Sequence, residues 1–143
     1  MNVHFQSKQA TVSFDPAEGF IRLKIDAFLG AEGIKELFTQ TMQYFKTLGI
    51  NKIMNDFRGF QGSSPAAQQW VLDNYYPAMR HYGLVHIATV VSSSVFANHT
   101  VNNVQSQLSR DFEYKTFDDI EEAEEWLETQ PSYAYNVPPF AKA

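Results

Sequence analysis

The chain has 143 residues, 44% hydrophobic, 15% aromatic and 19% charged, a composition that fits one packed domain and excludes a disordered chain. Its net charge is −5, and the 11 Lys and Arg are scattered, so no nucleic-acid partner is expected. With no cysteine, no apolar segment in the opening MNVHFQSKQ and no long apolar run, disulfides, thiolate sites and an integral membrane segment are excluded and the chain reads as cytoplasmic.

Val3 to Phe14 alternates loosely and leads into Asp15-Pro16-Ala17-Glu18-Gly19, which has turn chemistry. Beyond it Phe20, Arg22, Lys24 and Asp26 alternate with Ile21, Leu23, Ile25 and Ala27, a period of two with one apolar face. The two stretches predict an antiparallel hairpin. From Glu32 the apolar residues Ile34, Leu37, Phe38, Met42, Phe45 and Leu48 recur at three-four spacing, and Gly49 stands where a helix cap belongs. Ile50 to Met54 is a short apolar run of the kind found in strands covered on both faces, and Asp56 is expected to end it.

After the loop Phe57 to Gly62, Ser64 is placed as N-cap and Pro65 at the first helical position. That helix is expected to bury Ala67, Trp70, Val71, Tyr75, Met79 and Tyr82, with a kink or restart near Tyr76 caused by Pro77 and a stop at Gly83. His86 to Val91 is a β-branched strand. Ser92-Ser93-Ser94 caps a third helix carrying Ala97, Val101, Val104 and Leu108, and Phe112 to Phe117 alternates as a last strand. Asp118 with Glu121 has capping-box spacing and opens a final helix with Ile120, Ala123 and Leu127 inside.

The order is ββαβαβαβα: an α/β domain over residues 1–130, a mixed sheet with an N-terminal antiparallel hairpin and then parallel crossovers, Ile50 to Met54 central. Residues 131–143 form a tail with Pro131, Pro138 and Pro139 among Tyr133, Tyr135 and Phe140. Its rings are expected to dock on the domain or on a second subunit, which makes a homodimer one way of covering them. In open parallel sheets the C-terminal strand edge is where ligands and partners sit. Here that edge collects Asp56, Arg58, Gly59, Gly62, Ser63 and Ser64 from one loop and Ser92, Ser93, Ser94, Asn98 and His99 from the next.

This element order, the strand ending in Asp56, the loop into Gly62-Ser63-Ser64 and the stretch Tyr114 to Leu127 resemble the bacterial SpoIIAA-like family of the STAS/Sec14-type superfamily, over about residues 10 to 128. The resemblance implies an α/β sandwich, usually without enzymatic activity, that binds partner proteins or small anionic or lipidic ligands. In the superfamily's anti-sigma-factor antagonists a regulatory serine begins an Asp-Ser-Ser-Gly motif. Ser63 matches that serine, Ser64 the second serine and Asp56 the acid at the strand end, whereas Gly62 stands for the motif's Asp and Pro65 for its Gly.

Plainer explanations compete with these roles. Ser64 before Pro65 is fully explained as a helix cap, and Arg58 pairs with Asp56 if it does not reach an anion at the two helix N-termini. Neither Arg58 nor Ser63 belongs to an apolar face, so Arg58→Ala and Ser63→Asp are expected to leave the domain folded. His4, His81, His86 and His99 show no ligand spacing, and the sequence has neither a phosphate-binding glycine loop nor a GxSxG elbow, so no metal and no cofactor are expected. Two function classes remain: a non-catalytic module using Asp56, Arg58, Ser63, Ser64, Ser94 and His99 to bind a partner or ligand, and a small hydrolase or isomerase with Asp56 and His99 as acid and base.

Overall fold

A computed structural model describes residues 2–92, 95–108 and 110–132. Six strands form one mixed sheet in chain order: β1 (Asn2–Gln6), β2 (Ala10–Asp15), β3 (Phe20–Ile25), β4 (Lys52–Phe57), β5 (His86–Val91) and β6 (Glu113–Phe117). The first three run antiparallel and the last four, β3 to β6, run parallel. The helices are α1 (Ala31–Leu48), α2 (Pro65–Trp70), α3 (Tyr76–His81), α4 (Val95–Gln105) and α5 (Ile120–Thr129), with a π-helical turn, Val71–Tyr75, between α2 and α3. Among the described residues no helix is long and apolar enough to cross a membrane.

The expected hairpin is a three-stranded meander, because the stretch from Val3 to Phe14 breaks after Gln6. Ser7 Oγ accepts from the backbone N–H groups of Gln9 and Ala10, both at 3.1 Å, and the Ser7 N–H donates to Ala10 O at 2.9 Å. A serine that satisfies neighbouring backbone in this way favours a turn over a continuing strand.

Alternation decides which layer each residue joins. Ile21, Leu23, Ile25, Ile53 and Ile87 face one side, where they pack with Ile34, Leu37 and Phe45 of α1, Tyr75, Met79 of α3, and Ala97 and Val101 of α4. Phe20, Met54, Ala88 and Val90 face the other, where α5 covers them through Ala123 and Leu127. All six residues of β4 are buried, as the sequence predicts for a strand inside the sheet, but the strand runs on through Asp56 to Phe57 rather than stopping before Asp56.

Gly49 adopts the left-handed conformation, φ 64°, at the end of α1. The restart expected near Tyr76 takes the form of the π turn. Pro77 has no N–H for the carbonyl four residues back, and the Tyr76 N–H instead reaches Val71 O, five residues back. The wider turn brings the neighbouring Tyr75 and Tyr76 both into the core. Their rings meet edge-on at 4.9 Å, Tyr75 against Phe38 at 4.6 Å and Tyr76 against Phe112 at 5.7 Å. Trp70 and Tyr82, expected inside, are half-buried.

One cap differs from expectation: Asp119, not Asp118, opens α5, its Oδ1 accepting from the Glu121 N–H at 3.0 Å. Both acids precede the helix, and the one directly before Ile120, the first helical residue, has the extended backbone an N-cap needs. The chain ahead of the tail is tied down by Asn51 Nδ2, which donates to Pro131 O at 3.0 Å. Tyr133, Tyr135 and Phe140 lie outside the described residues.

Candidate functional site

Beyond Phe57 the chain makes a tight turn, Phe60 N–H to Phe57 O at 3.1 Å, and then lies against the segment that follows β3. Gln61 N–H donates to Ala27 O at 3.0 Å, Leu29 N–H donates to Gly62 O at 3.2 Å, and Leu29 bridges Ser63 as a parallel extension of the sheet. Gly62 has φ 101°, which favours glycine. Gly59 lies so close to the neighbouring loop that a Cβ would run into the Asp26 carboxylate and stand 3.1 Å from the Asp26 Cα. The two loops therefore form one knitted edge. Ser64 caps the helix that starts there, its Oγ accepting from the Ala67 N–H at 3.2 Å.

Asp56 and Ser63 emerge from this edge into different layers. Asp56 stands opposite Lys24 in the register, with the parity of Met54, on the face that α5 covers. It is buried, and the Arg58 guanidinium closes on it with Nε to Oδ1 and Nη2 to Oδ2, both at 2.8 Å. Burial pushes the Asp56 carboxyl upward, but the Arg58 fork, the Arg58 backbone N–H and the nearby Lys24 outweigh it and hold the group below its ordinary value. On the same side Arg22 bridges Glu18 and Glu124, which ties β3 to α5.

Ser63 is buried toward the opposite layer. It lines a cavity of about 40 Å³ together with Ile25, Phe57, Tyr76, Val101 and Tyr114. His99 is exposed on α4, which packs on that layer. Asp56 thus lies on the face of the sheet that α5 covers, whereas His99 belongs to a helix packed on the other face. Ser94 and Ser93 lie outside the described residues. Of the neighbouring segment, Ser92 O accepts from Asn98 Nδ2 at 3.0 Å. Among the described residues no group of three or more metal-ligating side chains gathers.

A polar cluster in the core escapes sequence reasoning. Asn55 Nδ2 donates to Thr89 Oγ1 at 3.1 Å, Thr89 Oγ1 shares a 2.8 Å hydrogen bond with the Tyr114 hydroxyl, and Asn55 also bonds Tyr76. Burial pushes Tyr114 up to about 12, against smaller opposing effects of its bonds to Thr89 and Thr116, so the phenol stays neutral. The available signal was Asn55 itself, a polar residue between Ile53 and Phe57 on one side of the strand. Phe28, 46% exposed beside the knitted loops, was likewise not singled out.

A family model described as SpoIIAA-like matches residues 20–128. Among solved structures, an uncharacterised protein from the DUF3478 family with a SpoIIAA-like fold, from Shewanella loihica PV-4, is similar at a TM-score of 0.59 and 15% identity, covering 86% of this chain and 98% of that one. SiaC of Pseudomonas aeruginosa is similar at 0.51 and 15% identity, covering 81% of this chain and 99% of that one. At such identity the likeness to these two is one of fold. No curated protein matches the chain.

Proposed function

The chain belongs to the SpoIIAA-like family, and we propose that it is a non-catalytic regulatory module that recognises a protein partner at the C-terminal edge of its parallel strands. The proposed contact edge holds Arg58, fixed by Asp56, with Ser64 at the start of α2 and His99 on α4, while Ser63 lies beneath it, turned to the core. The observation that carries this reading is the state of Arg58. Its side chain is 48% exposed although two of its nitrogens are locked on a buried carboxylate. A guanidinium already ordered in this way loses little freedom when a partner arrives, and such anchors dominate many protein interfaces. Phe28, exposed on the adjoining loop, supplies apolar surface beside it.

Size favours a protein over a small molecule. The cavity behind Ser63, about 40 Å³, is far below the several hundred Å³ that enclose a typical ligand. The test is parallel affinity capture from the native host with the wild type, Arg58→Gln and Phe28→Ser. A partner retained by the wild type and reduced about tenfold by both variants, with their thermal midpoints above the capture temperature, is the expected result. Equal retention by all three proteins removes this edge as the contact surface.

A further inference from the structure

Among the described residues β6 is the last strand of the sheet and pairs only with β5, in unbroken parallel register from Glu113 to Phe117. Its outer side therefore presents ladder groups to any strand that comes alongside, and it carries no proline to prevent pairing. Next to that edge, between β6 and α5, lies an open groove of about 750 Å³. Its floor is aromatic, the rings of Phe117 and Trp126 being 5.8 Å apart. Asp118, Glu122 and Glu125 line it with Lys115, and the Lys115 ammonium already lies over the Phe117 ring at 5.3 Å. Three carboxylates against one ammonium leave the groove anionic beside a strand edge that no other described strand covers.

We propose that β6 and this groove receive an extended, basic segment of a partner protein, added antiparallel or parallel as a further strand. Strand addition would supply main-chain hydrogen bonds, and alternate side chains would fall into the groove. A Lys or Arg there meets Glu122 and Glu125 as counter-charges and the Trp126 face as a cation–π partner. A second copy of this chain is the poorer occupant, because a two-fold axis along β6 would bring two identical anionic grooves together, and like charges across an interface are unfavourable.

The experiment uses the full chain carrying Trp70→Phe, so that Trp126 is the fluorescent reporter. It is titrated with a capped nonapeptide of alternating Lys and Val, the same peptide with its central Val replaced by Pro, and an alternating Glu and Val peptide. The expected result is saturable binding of the first, about tenfold weaker binding of the Pro peptide, none of the acidic one, and a loss with added salt. In the chain, Glu122→Lys/Glu125→Lys at exposed positions should weaken the first peptide about tenfold, and Lys115→Glu should strengthen it. Equal binding of the Lys and Pro peptides reduces the effect to bulk charge and overturns the proposal, as does indifference to the double charge reversal or absence of saturation. A sedimenting dimer that the peptide cannot displace and that Thr116→Pro abolishes would assign the edge to a second copy and overturn it too.

Discussion

Arg58 grips Asp56 through two hydrogen bonds of 2.8 Å, although the residues are only two apart at the end of β4. The grip allows a carboxylate to sit buried on the α5 side of the sheet next to Met54, because the planar fork satisfies both oxygens and supplies the opposite charge. Removing the arginine leaves a buried charge with weaker partners. Arg58→Ala is expected to cost about 1–2 kcal/mol, below the figure for a fully buried pair because Arg58 is half-exposed. The folded-state value of Asp56 is depressed, so its contribution is present above its ordinary value and lost as pH falls through the folded one. Urea unfolding of the wild type and Arg58→Ala at neutral pH and near pH 3 should show the gap narrowing in acid. A gap that stays constant would mean that Arg58 contributes packing and not charge.

Ser63 and Ser64 are neighbours with opposite tolerances. Ser64 caps α2, so Ser64→Ala should cost about 1 kcal/mol, read as a lower urea midpoint with an unchanged slope. Ser63 faces the cavity with Phe57, Tyr76 and Val101. The sequence places it on no apolar face, yet its burial means that Ser63→Asp would set a carboxylate among apolar groups, and a loss of about 3 kcal/mol or more is expected. If Ser63→Asp unfolds at the wild-type midpoint, the side chain must turn outward and the cavity assignment is wrong.

The elements were legible wherever a local rule decides them: the two-residue period of β3, the three-four period of α1 ended by Gly49, the Ser64-Pro65 start and the Pro77 restart. The break after Gln6 was missed because it depends on one serine side chain turning back onto the backbone, with no Gly or Pro to mark it. The order of elements alone suggests one crevice for Asp56 and His99. Being near the same strand ends does not put two side chains on the same face, and Asp56 is one residue out of phase with Asn55 and Phe57, which face the α4 layer. Asn55, Thr89, Tyr76 and Tyr114 could not be joined from sequence, since they lie on four separate elements.

The π turn carries a testable cost. It brings Tyr75 fully inside, where its hydroxyl has no hydrogen-bond partner among the described residues. Burial alone pushes this phenol's pKa far up. A polar group without a partner in the core costs free energy that a hydrogen atom in its place does not. Tyr75→Phe should keep the edge contact with Phe38, seen at 4.6 Å, and raise stability by about 1 kcal/mol, measured as a higher urea midpoint. A destabilised Tyr75→Phe would mean that the hydroxyl has a partner.

The last prediction concerns His86, which β5 places between its register partners Lys52 of β4 and Glu113 of β6. Its ring meets Trp126 of α5 edge-on at 6.2 Å, its buried Nδ1 has no hydrogen-bond partner among the described residues, and Glu113 Oε2 is 3.9 Å away. Lys52 Nζ donates to Leu127 O at 2.6 Å, near the C-terminal end of α5, and senses Glu128. Burial, helped by the Lys52 charge and opposed by Glu113, lowers the His86 pKa from 6.5. Between the lowered value and 6.5 the unfolded chain binds a proton that the folded chain does not, so stability is fullest above that window and falls as pH drops through it. Urea midpoints from pH 8 down to pH 5 should therefore decrease in the wild type, with α5 loosening first because Trp126 and Leu127 both rest on this cluster. His86→Phe keeps an aromatic ring against Trp126 and removes the proton site, so its profile over the same range should be flatter. An equally steep profile in His86→Phe would assign the pH dependence to other groups.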